Sequence, residues 1–190
     1  LRHALAPGVG DPHNFVKEDC STQRNLNNKG RLQARSIGNY IKLTNLRFSE
    51  ILTSEWCRCI DTTKELNLGK WEIFSGLNSF YEGHEKKDKV MDKLRKKLDS
   101  LGHSDLVLLV THQVVILEQT GIAPKSGEMV LYNPSTTTFV KHFMSRTSTS
   151  RPANRVNDIF MTGYCNTTTA IDAVQFKMNS GNIDTGTIKL

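Results

Sequence analysis

Apolar strand-like runs that alternate with helix-like runs constrain the fold of this chain more than any other feature. The run DLVLLVT at 105–111 is almost wholly apolar, which is typical of a parallel strand covered on both faces. A short helical pattern, HQVVILEQTG, follows it at once and ends at a glycine. FSEILTS at 48–54 and WEIFS at 71–75 are shorter strand-like runs. We therefore expect an α/β three-layer sandwich with a mainly parallel sheet flanked by helices.

Segment 26–43 is the clearest helical pattern. Asn27 or Asn28 can cap its start, and the run WCRCIDTTKEL at 56–66 indicates a second helix. EMVLYN and TFVKHF, at 128–133 and 138–143, indicate a closing pair of strands. The face that segment 26–43 buries is formed by Leu26, Gly30, Ala34, Ile37 and Ile41.

The net charge of +6 gives a weak preference for anionic partners. Much of it lies at 83–100, where the lysines have no aromatic residues between them. We interpret this run as a solvated helix face rather than a nucleic-acid site. No run is long and apolar enough for a membrane span, and no signal peptide is visible, so the sequence leaves the compartment open between cytoplasm and periplasm. The apolar stripe of the lysine-rich helix predicted at 83–100 consists of Val90, Met91, Leu94, Leu98 and Leu101.

The chain has four cysteines, and their spacing argues against structural zinc. Cys57 and Cys59 form a C-x-C pair without a second pair at a ligand interval. A disulfide from Cys20 to either Cys57 or Cys59 is compatible with an exported protein, whereas free thiols are expected in the cytosol.

Polar residues follow three of the strand-like runs. Arg2 and His3 come after a first strand of which Leu1 is present, Arg58 follows the run at 48–54, and His112 follows the run at 105–111. The carboxyl ends of parallel strands meet at one edge of a sheet, and ligands bind there. The sequence therefore predicts that two arginines and two histidines converge.

This set of residue types suits phosphoryl transfer. The planar arginine fork matches phosphate oxygens, and a neutral imidazole is a competent nucleophile towards phosphorus. A protonated second histidine can stabilise the charge of the transferring group. We expect transfer to His3 and then hydrolysis, a reaction that needs no metal or organic cofactor. A metal site at His3 and His112 is the alternative, but it would lack a carboxylate at ligand spacing.

Four motifs in this order resemble the histidine phosphatase superfamily, the phosphoglycerate-mutase-like group. They are LRHA, NLNNKGRLQARSIG, LTSEWCRCIDTTKEL and LVLLVTHQ, within residues 1–143. The resemblance implies that His3 is the phosphorylated nucleophile, that Arg2 and Arg58 clamp phosphate, and that His112 is the second pocket histidine. It also implies a packing role for Gln33 and Ala34, and substrate contacts by Arg24 and the loop at 6–15. Glu82 and Glu128 are further candidate substrate contacts.

Two departures from the family pattern bear on the chemistry. Ala4 stands where the family has glycine, which is tolerable if the backbone there has a negative φ. Many members carry a glutamate as general acid where this chain has Asn78. Either Glu82, Asp11 or Glu128 serves as the acid, or none does. Without one, good leaving groups such as phosphohistidine are favoured, as in the small phosphohistidine-phosphatase-like members.

The composition changes near Met144. The polar run MSRTSTSRPANR predicts a linker at 144–157, and the alternating pattern of 158–190 predicts a β-rich tail with an incomplete last strand. The tail resembles C-terminal β segments of phage structural proteins, which implies a part in assembly. A junction of two unrelated reading frames, or extra edge strands of the α/β domain at 1–143, are the alternatives.

The sequence thus predicts a hydrolase of phosphoric monoesters or phosphohistidine, acting on a phosphorylated small molecule or phosphoprotein. The alternative is a non-catalytic phosphate-binding or virion-associated structural protein with a degenerate phosphatase fold.

Overall fold

The computed structural model describes residues 1–44, 46–102, 105–132, 141–151 and 155–165. The chain divides into two compact units, Leu1–Tyr132 and Asn133–Leu190. No helix among the described residues has the length and hydropathy to cross a membrane. The helices of the first unit are α1 (Asn28–Leu43), α2 (Cys57–Leu66), α3 (Lys87–Asp99) and α4 (Gln113–Thr120), and its strands are β1 (Glu50–Thr53), β2 (Glu72–Ile73) and β3 (Val107–Val110).

The three strands form a parallel sheet in the order β2-β1-β3. The first three residues extend the sheet on the far side of β3, where Arg2 forms a parallel bridge with Thr111. The His3 amide donates to the Thr111 carbonyl at 2.9 Å, and the Thr111 amide donates to the Leu1 carbonyl at 2.9 Å. Helices plus a parallel sheet agree with the α/β class expected from the sequence.

The two faces of the sheet bury different clusters, because side chains alternate along a strand. Ile51 packs on one face with Cys59 and Leu66 of α2. Its neighbour Leu52 packs on the other face with residues of α3 that include Val90. This alternation buries both faces of the sheet against helices, while the parallel direction of the strands brings their carboxyl ends to one edge.

Helix α1 begins where the sequence predicted, with Asn27 as its cap: the Asn27 side chain accepts from the Gly30 amide at 2.8 Å. Gly30 lies against the segment that follows His3. A Cβ at position 30 would come within 2.0 Å of the Leu5 carbonyl oxygen. The glycine therefore allows α1 to approach the backbone beside the candidate site.

A disulfide joins Cys20 to Cys57, with the Cα atoms 5.7 Å apart, and Cys59 is a free, buried thiol. Of the two pairings considered from the sequence, the structure contains the one to Cys57. The bond fixes the segment before Arg24 to the first residue of α2, directly beside Arg58.

The C-terminal part differs from the sequence expectation in two places. Residues 128–132 form no strand, and three of their side chains, Met129, Leu131 and Tyr132, are 40 to 52% exposed. The partner expected from the sequence, 138–143, lies partly outside the described residues, and its described part belongs to strand β4. The expected linker at 144–157 coincides largely with two strands, β4 (Lys141–Arg151) and β5 (Arg155–Cys165).

Strands β4 and β5 pair antiparallel, from Lys141 opposite Cys165 to Arg151 opposite Arg155. Threonine is compatible with a strand as well as with a loop, so the polar composition alone does not distinguish a linker from a strand. The domain division at 143 and 157 stays a prediction, and residues 166–190 of the expected tail lie outside the described part of the chain.

Candidate functional site

His3 is almost completely buried, with 2% of its surface exposed. Its Nδ1 lies 2.8 Å from the carbonyl oxygen of Ala4. A carbonyl can only accept, so Nδ1 carries the proton and Nε2 holds a lone pair. Burial, followed by the positive charge of Arg58, lowers the pKa of His3 to about 3. The ring is therefore neutral at pH 7, which is the form that a nitrogen nucleophile needs.

The backbone after His3 accommodates the residue that replaces the family's glycine. Ala4 is fully buried, and its amide donates to Thr62 Oγ1 at 2.9 Å. Among the described residues, Asn67 and Glu82 are the non-glycine positions with positive φ. Ala4 thus has a negative φ, as the expected tolerance of a methyl group requires.

His112 follows β3 and is 3% exposed. Its ring centroid lies 5.5 Å from that of His3, in an edge-on arrangement. Its Nε2 lies 2.9 Å from Ser54 Oγ and 3.5 Å from Cys59 Sγ. Burial, and then the charge of Arg58, hold the pKa of His112 well below its usual 6.5. The structure thus brings the two predicted histidines together in neutral form.

Arg58 is buried, and its donors can be counted. Asp11 binds its outer edge, with Nη1 donating to Oδ1 at 2.7 Å and Nη2 to Oδ2 at 3.1 Å. Nη1 also faces the Arg24 carbonyl at 3.4 Å. The Nε atom is buried without a partner. Of the five N–H groups of a guanidinium, two remain, on Nε and Nη2, which form the side-on fork that suits an oxyanion.

Arg2 contributes a second unpaired donor. Its Nη1 donates to the Pro124 carbonyl at 2.8 Å, which fixes the side chain, while its Nε is buried without a partner. Burial lowers the pKa of Arg2, and the charge of nearby Arg58 lowers it further, although Glu128 acts in the opposite direction. Buried donors that are not hydrogen-bonded are rare in folded proteins, so two of them in neighbouring arginines indicate an anion site.

Asp11 is the counter-ion of this arginine cluster. Besides the two bonds from Arg58, it accepts from Trp56 Nε1 at 3.1 Å and from the Arg24 amide at 3.0 Å. Burial opposes its ionisation, but the Arg58 and Arg24 hydrogen bonds outweigh burial, and the pKa of Asp11 is lowered. An ionised, fully bonded carboxylate does not act as the general acid considered from the sequence.

Arg24, expected from the sequence to contact substrate, binds backbone carbonyls of the loop at 6–15. Its Nε donates to the Gly10 carbonyl at 2.8 Å, and its Nη1 donates to the Ala6 carbonyl. The side chain therefore holds the loop that carries Asp11. Its charge still adds to the positive potential of the site, since it contributes to lowering the pKa of His3.

The two glutamates considered as acids or substrate contacts are bound to backbone amides. Glu82 Oε2 accepts from the Asp11 amide at 3.2 Å, and its side chain is 44% exposed. Glu128 Oε2 accepts from the Lys125 amide at 2.6 Å. Neither glutamate donates to His3 or His112. Of the three carboxyl groups considered as the acid, Asp11 contacts Arg58, and Glu82 contacts the loop that carries Asp11.

The sequence interpretation did not include Ser54. It directly follows β1 at the same edge of the sheet, it is fully buried, and it contacts His112. The rule that selected Arg58 and His112, polar residues after buried strands, applies equally to Ser54. The N-termini of α2 and α4 lie at this edge too, and their dipoles favour an anion.

Sequence comparison gives no relatives: no model of a known protein family matches the chain, and no curated protein matches it. Solved structures do match. The protein histidine phosphatase SixA complexed with tungstate is 15% identical, with 85% of this chain and 94% of that chain covered and a TM-score of 0.46.

Two further structures match in a similar way. A putative phosphohistidine phosphatase SixA from Agrobacterium tumefaciens is 19% identical over 62% of this chain and 69% of that chain, with a TM-score of 0.46. Another from Nakamurella multipartitia is 18% identical over 67% and 71%, with a TM-score of 0.44. All three TM-scores lie below 0.5. The comparisons give no support to the expected likeness of the tail to phage proteins.

Proposed function

We propose that this chain is a metal-independent phosphatase of the histidine phosphatase type, which hydrolyses phosphohistidine or phosphate monoesters through a phosphorylated His3. One observation carries the proposal: a neutral, buried imidazole lies beside two arginines whose Nε donors are buried and unpaired. That pairing supplies a nucleophile and an oxyanion clamp at one edge of the sheet.

The geometry supports a two-step reaction. The Nδ1 proton of His3 is held by the Ala4 carbonyl, so the Nε2 lone pair attacks phosphorus. The N–P bond forms as the bond from phosphorus to the leaving group breaks, and the leaving group takes its proton from solvent. The side-on fork of Arg58 and the free donor of Arg2 bind the peripheral oxygens. Water then cleaves the N–P bond and restores His3.

The carboxyl groups near the pocket indicate the substrate class. Asp11 is ionised and fully bonded, and Glu82 and Glu128 are bonded to loop amides. Without a carboxylic acid to protonate the leaving group, alkyl phosphates react slowly. We therefore propose substrates with good leaving groups, of which phosphohistidine in a phosphoprotein is the biological example and an aryl phosphate the laboratory one.

Turnover of para-nitrophenyl phosphate and of phosphohistidine tests this proposal. We expect phosphate release by the wild-type chain and a loss of at least about 10³-fold in His3→Ala, the scale on which removal of a nucleophile acts. His142→Ala serves as the control, because His142 lies in β4 of the second unit and has no part in the proposed site. If the wild-type chain binds phosphate but releases none from either substrate, the non-catalytic binding protein is the correct interpretation.

A further inference from the structure

Asp11 and Arg58 form the most deeply buried ion pair among the described residues. Both side chains are 3% exposed, whereas the side chains of the other described pairs are 16 to 74% exposed. A buried ion pair is weak evidence for a gain in stability, because removing two charges from water offsets their attraction. The place of this pair at the candidate site indicates a role in the reaction instead.

Asp11 fixes the direction of the Arg58 guanidinium. Two parallel hydrogen bonds, from Nη1 to Oδ1 and from Nη2 to Oδ2, allow a single relative orientation of the two planar groups. The carboxylate is itself held by the indole N–H of fully buried Trp56 and by the backbone amide of Arg24. Because Asp11 occupies the end of the guanidinium, the side edge with the unpaired Nε is left for a phosphoryl oxygen.

Asp11 also changes the net charge of the site. Three positive charges act on His3, those of Arg58, Arg24 and Arg2. Burial opposes the ionisation of Asp11, but the hydrogen bonds from Arg58 and Arg24 lower its pKa, so the carboxylate is charged at pH 7. One of the three positive charges is therefore offset, which weakens the attraction of the site for a phosphate dianion.

We propose that Asp11 is a positioning residue that acts through Arg58: it directs the guanidinium at the transferring phosphoryl group and lowers the affinity of the site for free phosphate. The inference rests on the proposed function, because each turnover would leave inorganic phosphate beside the arginines. Three uncompensated cations would hold that product and delay the next substrate. The charge of Asp11 thus favours release of the product, and the orientation that it imposes favours the transfer.

These two effects act on different measured quantities. The bound substrate and the transition state carry the same net charge, so the charge of Asp11 affects the binding of both alike and leaves the chemical step unchanged. The direction of a hydrogen-bond donor matters most where charge develops, so the orientation of Arg58 affects the chemical step. The Kd of phosphate reports the first effect, and the single-turnover release of para-nitrophenol from para-nitrophenyl phosphate reports the second.

Asp11→Asn is the discriminating variant. Asparagine keeps the shape of aspartate without its charge, and when its Oδ1 accepts from Arg58 Nη1, its Nδ2 faces two donors, Arg58 Nη2 and the Trp56 indole. We expect calorimetric titration with inorganic phosphate to give a Kd at least about tenfold lower than that of the wild type. We expect single-turnover release of para-nitrophenol to be at least about tenfold slower. A Kd that is unchanged or higher, or an unchanged rate, would overturn the proposal.

Two further variants separate charge from orientation and from general destabilisation. Asp11→Glu keeps the charge but moves the carboxylate by one methylene, so the Kd of phosphate should stay within about threefold of the wild type while para-nitrophenol release slows. Glu65→Gln is the matched control, because Glu65 also pairs with two arginines, Arg31 and Arg35, about two turns along α2 from Arg58; it should change neither quantity. If Asp11→Asn does not fold, Asp11→Glu decides, since release at the wild-type rate would overturn the proposal.

Calorimetry on the full chain separates this inference from the proposed function, because it measures the affinity for phosphate without any turnover. Phosphate binding without para-nitrophenol release by the wild type would refute the proposed function and, with it, the part of Asp11 in the transfer. The Kd of Asp11→Asn would still decide its effect on affinity. No binding of phosphate by the wild type would refute both.

Discussion

The ion pair between Asp11 and Arg58 makes a quantitative prediction about stability. Both side chains are 3% exposed, and Asp11 accepts four hydrogen bonds, two of them from Arg58. Removing one partner of a buried pair costs about 3–5 kcal/mol, because the other charge remains buried. Asparagine keeps one acceptor oxygen, so we expect Asp11→Asn to lower the free energy of unfolding by about 3 kcal/mol. At about 2–4 °C per kcal/mol, the Tm falls by about 6–12 °C.

Phosphate should compensate for part of this loss. In Asp11→Asn the guanidinium of Arg58 has no carboxylate counter-ion, so an oxyanion in the pocket gains more from pairing with it. Because a ligand stabilises the state that binds it, we expect inorganic phosphate to raise the Tm of Asp11→Asn by more than it raises the wild-type Tm. Differential scanning calorimetry with and without phosphate measures both shifts.

The sign of the acid dependence follows from the lowered pKa of Asp11. Such a carboxylate contributes stability above its ordinary pKa of 3.8, and the contribution is lost as the pH falls below that value through the lowered folded-state pKa. Asp11→Asn should lack this part of the acid unfolding. Asp92→Asn is the control, since Asp92 forms an exposed pair with Lys96 worth at most about 0.5 kcal/mol. Equal Tm values for wild type and Asp11→Asn would refute the buried pair.

Three further predictions concern the same region. Burial lowers the pKa of His3 to about 3, so below about pH 6.5 the unfolded chain binds a proton at this residue while the folded chain does not, and the wild-type protein loses stability. In urea unfolding, the free energy of unfolding of His3→Gln should therefore fall by about 1–2 kcal/mol less between pH 7 and pH 5 than that of the wild type. Reduction of Cys20–Cys57, a separation of 37 residues, should lower the unfolding free energy by about 3–4 kcal/mol, whereas Cys20→Ser should not respond to reductant. Gly30→Ala should destabilise the fold by at least about 2 kcal/mol in chemical denaturation, because its methyl group would lie 2.0 Å from a backbone oxygen; a neutral effect would contradict the close approach of α1.

The elements that the sequence predicted best are those whose pattern is long and whose signal is local. Helix α1 has a periodic apolar face and an asparagine cap, and β3 is a continuous apolar run. Residues 128–132 are mostly apolar but form no strand. A local pattern does not show whether a partner strand is present. The composition of 144–157 likewise predicts a linker, whereas most of this run pairs in β4 and β5.

The candidate site shows the same division. His3, Arg58 and His112 could be selected from the sequence because each follows a strand and has chemistry of its own. The role of Asp11 could not, because a carboxylate in a loop becomes a counter-ion only through contacts with residues 47 positions away.

The most direct test of the proposed function is to trap the phosphorylated protein. The wild-type chain is mixed with para-nitrophenyl phosphate, quenched in alkaline denaturant, which preserves phosphohistidine, and analysed by mass spectrometry of its peptides. Our account predicts a mass gain of one phosphoryl group on the peptide that contains His3, with none in His3→Ala. Turnover without any phosphorylated peptide, or a phosphoryl group on His112 instead, would contradict it.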